Sequence, residues 1–251
     1  MRPSTRLVVL GRKLRTPANF IALGQTNRRW SGMTTLGNDV YCSVFDGDIY
    51  KQTGGVGNFV SLGQTNRRWF GMTTLGNNIY CCAFNEDIYK QTGGVGNFVA
   101  LGQTARGWIA MTALGNDVYC CAYNGDIYKQ TGGVGNFVGL GQTSRQWHGI
   151  TTLGNDVYCC VDSGDIYKQT GAVGNFVALG QTTRQWTAMT TLGNDVYCCV
   201  TGGDIYKQTG GVGNFVALGQ ASRSWHGMTT LGNDVYCCVL DGDIYKAYYL
   251  A

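Results

Sequence analysis

Residues 186–220 read WTAMTTLGNDVYCCVTGGDIYKQTGGVGNFVALGQ, and this stretch decides the fold. Trp186 to Gly193 is short and apolar or small throughout, as a strand is. Asn194-Asp195 marks a turn. Val196 to Val200 is an unbroken apolar run, expected of a strand buried on both faces. Thr201-Gly202-Gly203 is a second tight turn, and Asp204 to Thr209 a third strand. A glycine-rich loop, 210–214, leads to a fourth strand over Phe215–Gln220. No long window carries a helical period, so helix should be nearly absent.

The same text surrounds this stretch on both sides. Tryptophan stands at 30, 69, 108, 147, 186 and 225, each 39 residues after the last, and nowhere else. A fixed period of this size means one small unit that cannot bury its own apolar face and must stack on its copies. Four short antiparallel strands per unit predict an all-β, six-bladed β-propeller with four-stranded antiparallel blades. The chain ends fit this reading. Phe20-Ile-Ala-Leu-Gly-Gln-Thr26 reads as a fourth strand with no unit before it, and the last unit stops after its third strand at Lys246. The N-terminal segment would therefore supply the missing outer strand and close the ring, removing open edges. Residues 1–19 are expected to be a peripheral leader and 20–251 one domain; Leu7-Val-Val-Leu-Gly11 resembles the closing strand enough to compete for its edge. The rival is a pair of β-trefoils. It would require a boundary near residue 137, where no change in composition occurs.

Charged residues make up 14% and aromatic residues 12%, too apolar a balance for disorder. The net charge of +4 comes from arginines and lysines that recur singly, which is not a nucleic-acid stripe. No stretch has the length of a membrane helix, so membrane insertion is not expected. No clear signal peptide precedes the repeats. The 39 glycines are distributed through the units as turn residues. Eleven cysteines, mostly as adjacent pairs such as Cys81-Cys82, read as small buried apolar residues, because neighbours on a strand face opposite ways. Together with the odd count, this favours a reducing, cytoplasmic setting and a monomer. With no Cys-x-x-Cys spacing and only His148 and His226, no metal or cofactor is expected.

The order Leu-Gly, Trp, a short apolar strand, then Asp-Val-Tyr-Cys-Cys-Val and Gly-Asp-Ile-Tyr-Lys, resembles the blades of the tachylectin and tectonin β-propeller lectins over residues 20 to 246. The units here are shorter than in tachylectin and six rather than five, and Thr-x-Arg precedes the Trp where tachylectin has Gly-Gly. The resemblance implies binding of N-acetylated amino sugars or related glycans, at equivalent sites between neighbouring blades.

A sugar site needs an aromatic face and a few fixed polar groups, and arginine offers a rigid fork of donors. The Arg-x-Trp segments supply both: Arg28 and Trp30, Arg67 and Trp69, Arg106 and Trp108, Arg145 and Trp147, Arg184 and Trp186, Arg223 and Trp225. Turn residues Asp46, Asn85 and Asn124 are expected to add acceptors from the next blade, while the loop around Asn58 and its copies should lie at the opposite end. The competing readings are that the Trp is plugged between blades and that the Arg pairs with the repeated Asp48. No Ser-His-Asp set or singly placed carboxylate pair exists, so catalysis is not expected. Two functions follow: a multivalent lectin, or a repeat scaffold, natural or regularised by design, acting as a structural or protein-interaction platform.

Overall fold

A computed structural model describes residues 19–248; the leader, including Leu7–Gly11, lies outside the described residues. The described residues are all-β apart from five single 3-10 turns in the loops after the third strands, such as Thr53–Gly55.

In the Trp186 unit the first strand is Trp186–Leu192, which pairs antiparallel with Asp195–Gly203. That strand pairs in turn with Ile205–Gln208, and Ile205–Gln208 with Val216–Ala217. The strand order follows the hydrophobic pattern, but two lengths differ from expectation. The fourth strand has only two residues, because the chain leaves the ladder at Leu218; its N–H is bonded to the Ile205 carbonyl. Stopping early keeps the exposed edge too short to template pairing with another chain. The second strand runs on through its expected turn, because Thr201 and Gly203 pair with Ser224 and Arg223 of the next unit. An equivalent bridge joins every successive pair of units, and Arg28 with Gly242 joins the last to the first.

The six first strands pack in cyclic order, Arg28–Leu36 against Arg67–Leu75 and onward to Arg223–Leu231, which returns to Arg28–Leu36. The approach is close enough to dictate composition. A Cβ on Gly32 would strike the Phe70 carbonyl, and one on Gly227 the Ser31 carbonyl. The segment after residue 19 closes the circle: Ile21 and Ala22 pair with Lys246 and Tyr245 of the last third strand. Asp243 accepts the Gly24 and Gln25 amides at 2.8 and 2.7 Å.

Two repeated devices tie unit to unit. The glutamine after each outer strand accepts the phenylalanine amide of the next unit at 2.9 Å, Gln25 from Phe59, Gln64 from Phe98 and so on. Gln220 accepts from Phe20 at 3.0 Å and completes the circuit. The second device is sulfur. All eleven cysteines are buried and reduced. The second thiol of one unit packs beside the first thiol of the next: Cys82 with Cys120, Cys121 with Cys159, Cys160 with Cys198, Cys199 with Cys237. Cys42 meets Cys238 across the closure. Ser43 holds the one remaining second-thiol position, which leaves Cys81 as the odd eleventh. Burial pushes the Cys42, Cys81 and Cys120 thiols well up, so these are packing groups and not nucleophiles.

Candidate binding sites

The six tryptophans do not present faces to solvent. Each is 1% exposed. Trp186 packs edge-on to Tyr206 at 5.1 Å and against Phe215 at 6.0 Å, and the other five sit in the same cage. An aromatic platform at Trp30, Trp69, Trp108, Trp147, Trp186 and Trp225 is thus corrected: burying so large an apolar surface between units outweighs displaying it.

The arginines take neither of the expected positions. The repeated Asp48 and its copies do not pair with them. Asp48 instead accepts the Ile49, Gly63 and Gln64 amides at 2.6, 2.8 and 2.7 Å, pinning the outer strand to the third. The guanidinium lies over the tyrosine of its own third strand, 4.6 Å for Arg28 over Tyr50 and 4.7 Å for Arg184 over Tyr206. The other four stack likewise, at 4.7 or 4.8 Å. Arg67 also pairs with Glu86 at 2.5 Å, whereas Arg28, Arg106, Arg145, Arg184 and Arg223 have no carboxylate partner among the described residues.

A small polar pocket recurs beside these arginines. In the Trp186 unit it has a volume of about 150 Å³ and is lined by Gln181, Thr182, Arg184, Trp186, Asn214 and Phe215. The equivalents at Arg67 and Arg106 measure about 160 and 150 Å³. Trp69 donates its Nε1–H to the Thr65 carbonyl at 3.2 Å, but the indole N–H of Trp30, Trp108, Trp147, Trp186 and Trp225 is buried without a partner. The pocket's asparagine is Asn97, Asn136 or Asn214, from the loop expected at the far end; Asn85 and Asn124 are not part of it. The turn residues Asp46, Asn85 and Asn124 recur for a different reason. They have φ of 57°, 59° and 55°, the left-handed region where Asp and Asn are tolerated.

The second candidate lies at the same end, where the second strand turns into the third, but on the axis, at positions not among the expected site residues. The residue after each Trp points toward the axis: Ser31, Phe70, Ile109, His148, Thr187, His226 line one axial cavity. Rings occupy alternate units. His226 lies 5.9 Å from Phe70 and 5.5 Å from His148. Around this plug, near the far ends of the second strands, stand Phe45, Phe84, Tyr123, Asp162, Thr201 and Leu240. Phe70 packs on Phe45 and Phe84 at 5.2 and 5.6 Å. Arg29 lies over Phe45 at 4.1 Å and is bonded to Asp46 at 3.2 Å; Arg68 approaches Asp46 at 3.5 Å. One side of the rim is thereby aromatic and arginine-rich. The signal was available in the sequence, because these positions are the ones at which near-identical units disagree.

No protein-family model and no curated protein matches the chain. Solved structures do. Virginiamycin B lyase from Staphylococcus aureus, in a catalytically inactive form with quinupristin, is 13% identical with a TM-score of 0.65, covering 95% of this chain and 97% of that one. YCF48 from Cyanidioschyzon merolae is 11% identical with a TM-score of 0.64, covering 92% and 99%. The computationally designed Ika8 protein is 18% identical with a TM-score of 0.60, covering 88% and 71%. At such identities the likeness is one of fold. It defines the class: an all-β, propeller-like repeat protein. Among the described residues, no helix is long and apolar enough to cross a membrane.

Proposed function

We propose that the chain is a six-bladed propeller with four-stranded blades, the last completed by the N-terminal segment, and that it serves as a binding scaffold. The cyclic packing of the first strands and the circuit of Gln-to-Phe hydrogen bonds support the blade count. One observation carries the function: the positions at which the units differ gather at one end of the ring, around the axial mouth. Arginine beside aromatic rings is the composition of interaction hot spots, and Arg29, Phe45, Arg68 and Phe84 supply it on one side of that rim. The role is binding rather than catalysis. YCF48 has been solved with a D1 peptide, so a related fold takes a peptide ligand. The test is affinity capture with the parent and with an R29A/F45S/R68A variant. Partners held by the parent should be lost by the variant, and retention of all of them would refute the assignment.

A second reading rests on the recurring pockets. An unpaired indole N–H and a guanidinium free of carboxylates, with an asparagine beside them, suit a small hydroxylated or acetamido ligand. Binding of N-acetylated sugars at several equivalent sites would make the chain a multivalent lectin, with avidity in place of single-site affinity. A glycan array decides this reading. Binding should appear for the parent and vanish in a folded variant lacking all six pocket arginines.

A further inference from the structure

We infer that the axial mouth is a two-histidine site for a borderline transition-metal ion, held by the Nε2 atoms of His148 and His226. The Nδ1 atom of His148 lies 2.8 Å from the Thr187 carbonyl, and that of His226 lies 3.1 Å from the Ser31 carbonyl. A carbonyl oxygen only accepts, so each Nδ1 carries the hydrogen and each neutral ring keeps its lone pair on Nε2. This is the arrangement that orients metal-binding imidazoles, whose second nitrogen donates to a carbonyl or carboxylate. Neither Nε2 has a hydrogen-bond partner among the described residues, and both histidines line the same cavity.

The spacing fits one shared ion. With metal–nitrogen bonds of about 2.0–2.1 Å, and roughly 1.1 Å from nitrogen to ring centre, two imidazoles on one ion have centres about 4.5 to 6.4 Å apart, from a right-angled to a linear arrangement. The observed separation is 5.5 Å, with the rings inclined at 73°. The cavity volume is about 50 Å³, room for an ion with water completing its shell. Asp162, 3.5 Å from the Tyr123 hydroxyl beside His148, adds negative charge near the mouth. Neutral nitrogen ligands with no direct carboxylate exclude Mg²⁺ and Ca²⁺ as favoured ions and select the borderline class, with Cu²⁺ bound most tightly of the common divalent ions.

Phe70 shows which substitutions keep the plug: a phenylalanine at a ring-bearing position. The experiment titrates Cu²⁺ into the full chain by calorimetry, with electron paramagnetic resonance read on the bound ion. One equivalent should bind, with hyperfine splitting from two nitrogens. His148→Phe and His226→Phe should each weaken binding by at least about tenfold and leave one nitrogen, and the double variant should abolish the stoichiometric step. Circular dichroism and the thermal midpoint establish that each variant is folded. His226→Asn serves as a second replacement should the phenylalanine disturb packing. Failure of the parent to bind one equivalent, or undiminished binding by a folded variant lacking both imidazoles, overturns the assignment.

Discussion

The end of the ring that carries the loop 53–58 and its copies and the end that carries the axial mouth are built from the same units but obey different rules. At the first, neighbouring units read almost letter for letter alike: Lys51 bonds Asp39 at 2.6 Å, Gly54 donates to Asp39 at 2.8 Å, and Gln52 donates to the Gly57 carbonyl at 2.7 Å, with the same bonds in later units. These side chains find their partners inside their own unit, so each unit keeps the same residues to satisfy them. At the mouth, the residue after Trp runs from serine to phenylalanine to histidine. Those side chains meet their counterparts from other units, so only the sum around the axis is constrained. Sameness marks what holds the ring, and difference marks the positions released from that constraint.

The contrast is broken most severely by removing closure. Deleting the chain through residue 26 removes the Ile21–Ala22 pairing and the Phe20 and Gln25 hydrogen bonds, exposing two unit faces. The expected outcome in size-exclusion chromatography is loss of the folded monomer to aggregate. A folded monomer with an unchanged melting temperature would contradict the closure account.

Next in size is a clash between first strands. Gly71 approaches Ala110 and the Ile109 carbonyl so closely that a side chain has no room. Gly71→Val should cost about 3 kcal/mol in urea denaturation, while the same change at Gly63, whose φ is +68° but which has open space, acts through backbone strain alone. Smaller still is the loss of one inter-unit hydrogen bond: Gln64→Ala leaves the Phe98 amide unpaired and should cost about 1–2 kcal/mol. By contrast Arg29→Ala, at the mouth, should change stability by less than about 0.5 kcal/mol, because its ion pairs are exposed.

The smallest effect tests a natural exception. The Trp69 unit has Asn78 where five others have aspartate, so Lys90 lacks the ion pair that Lys51, Lys129, Lys168, Lys207 and Lys246 make. Asn78→Asp should gain no more than about 0.5 kcal/mol at pH 7. Burial raises the pKa of Asp39, Asp117 and Asp156, but the lysine bond and the glycine amide outweigh it and hold these carboxyls below their usual value. A depressed native pKa means the unfolded chain takes up protons first as pH falls. The contribution is complete above about pH 4 and is lost through the lower native pKa. Melting temperatures measured from pH 7 to 2.5 should show the Asn78→Asp gain fading in that acid window, and a gain that persists at pH 2.5 would rule out the ion pair as its source.

The sequence by itself determined what is local and periodic. Turn residues and apolar runs placed the strands in order, the 39-residue spacing of the tryptophans gave the repeat, and the displaced Phe20–Thr26 segment gave the closure. Burial of the cysteines also followed from strand alternation. The tertiary structure alone decided what depends on how the strands pack within and between units. That packing put Trp186 in a cage of Tyr206 and Phe215, and laid Arg184 on the tyrosine instead of on an aspartate. It brought Asn214 to the pocket where Asn85 and Asn124 had been expected, and paired Cys82 with Cys120 across a unit boundary. The physical reason is that strand formation reads positions a few residues apart, whereas these contacts join positions 20 to 38 residues apart, whose distance is set by how the sheets twist and pack.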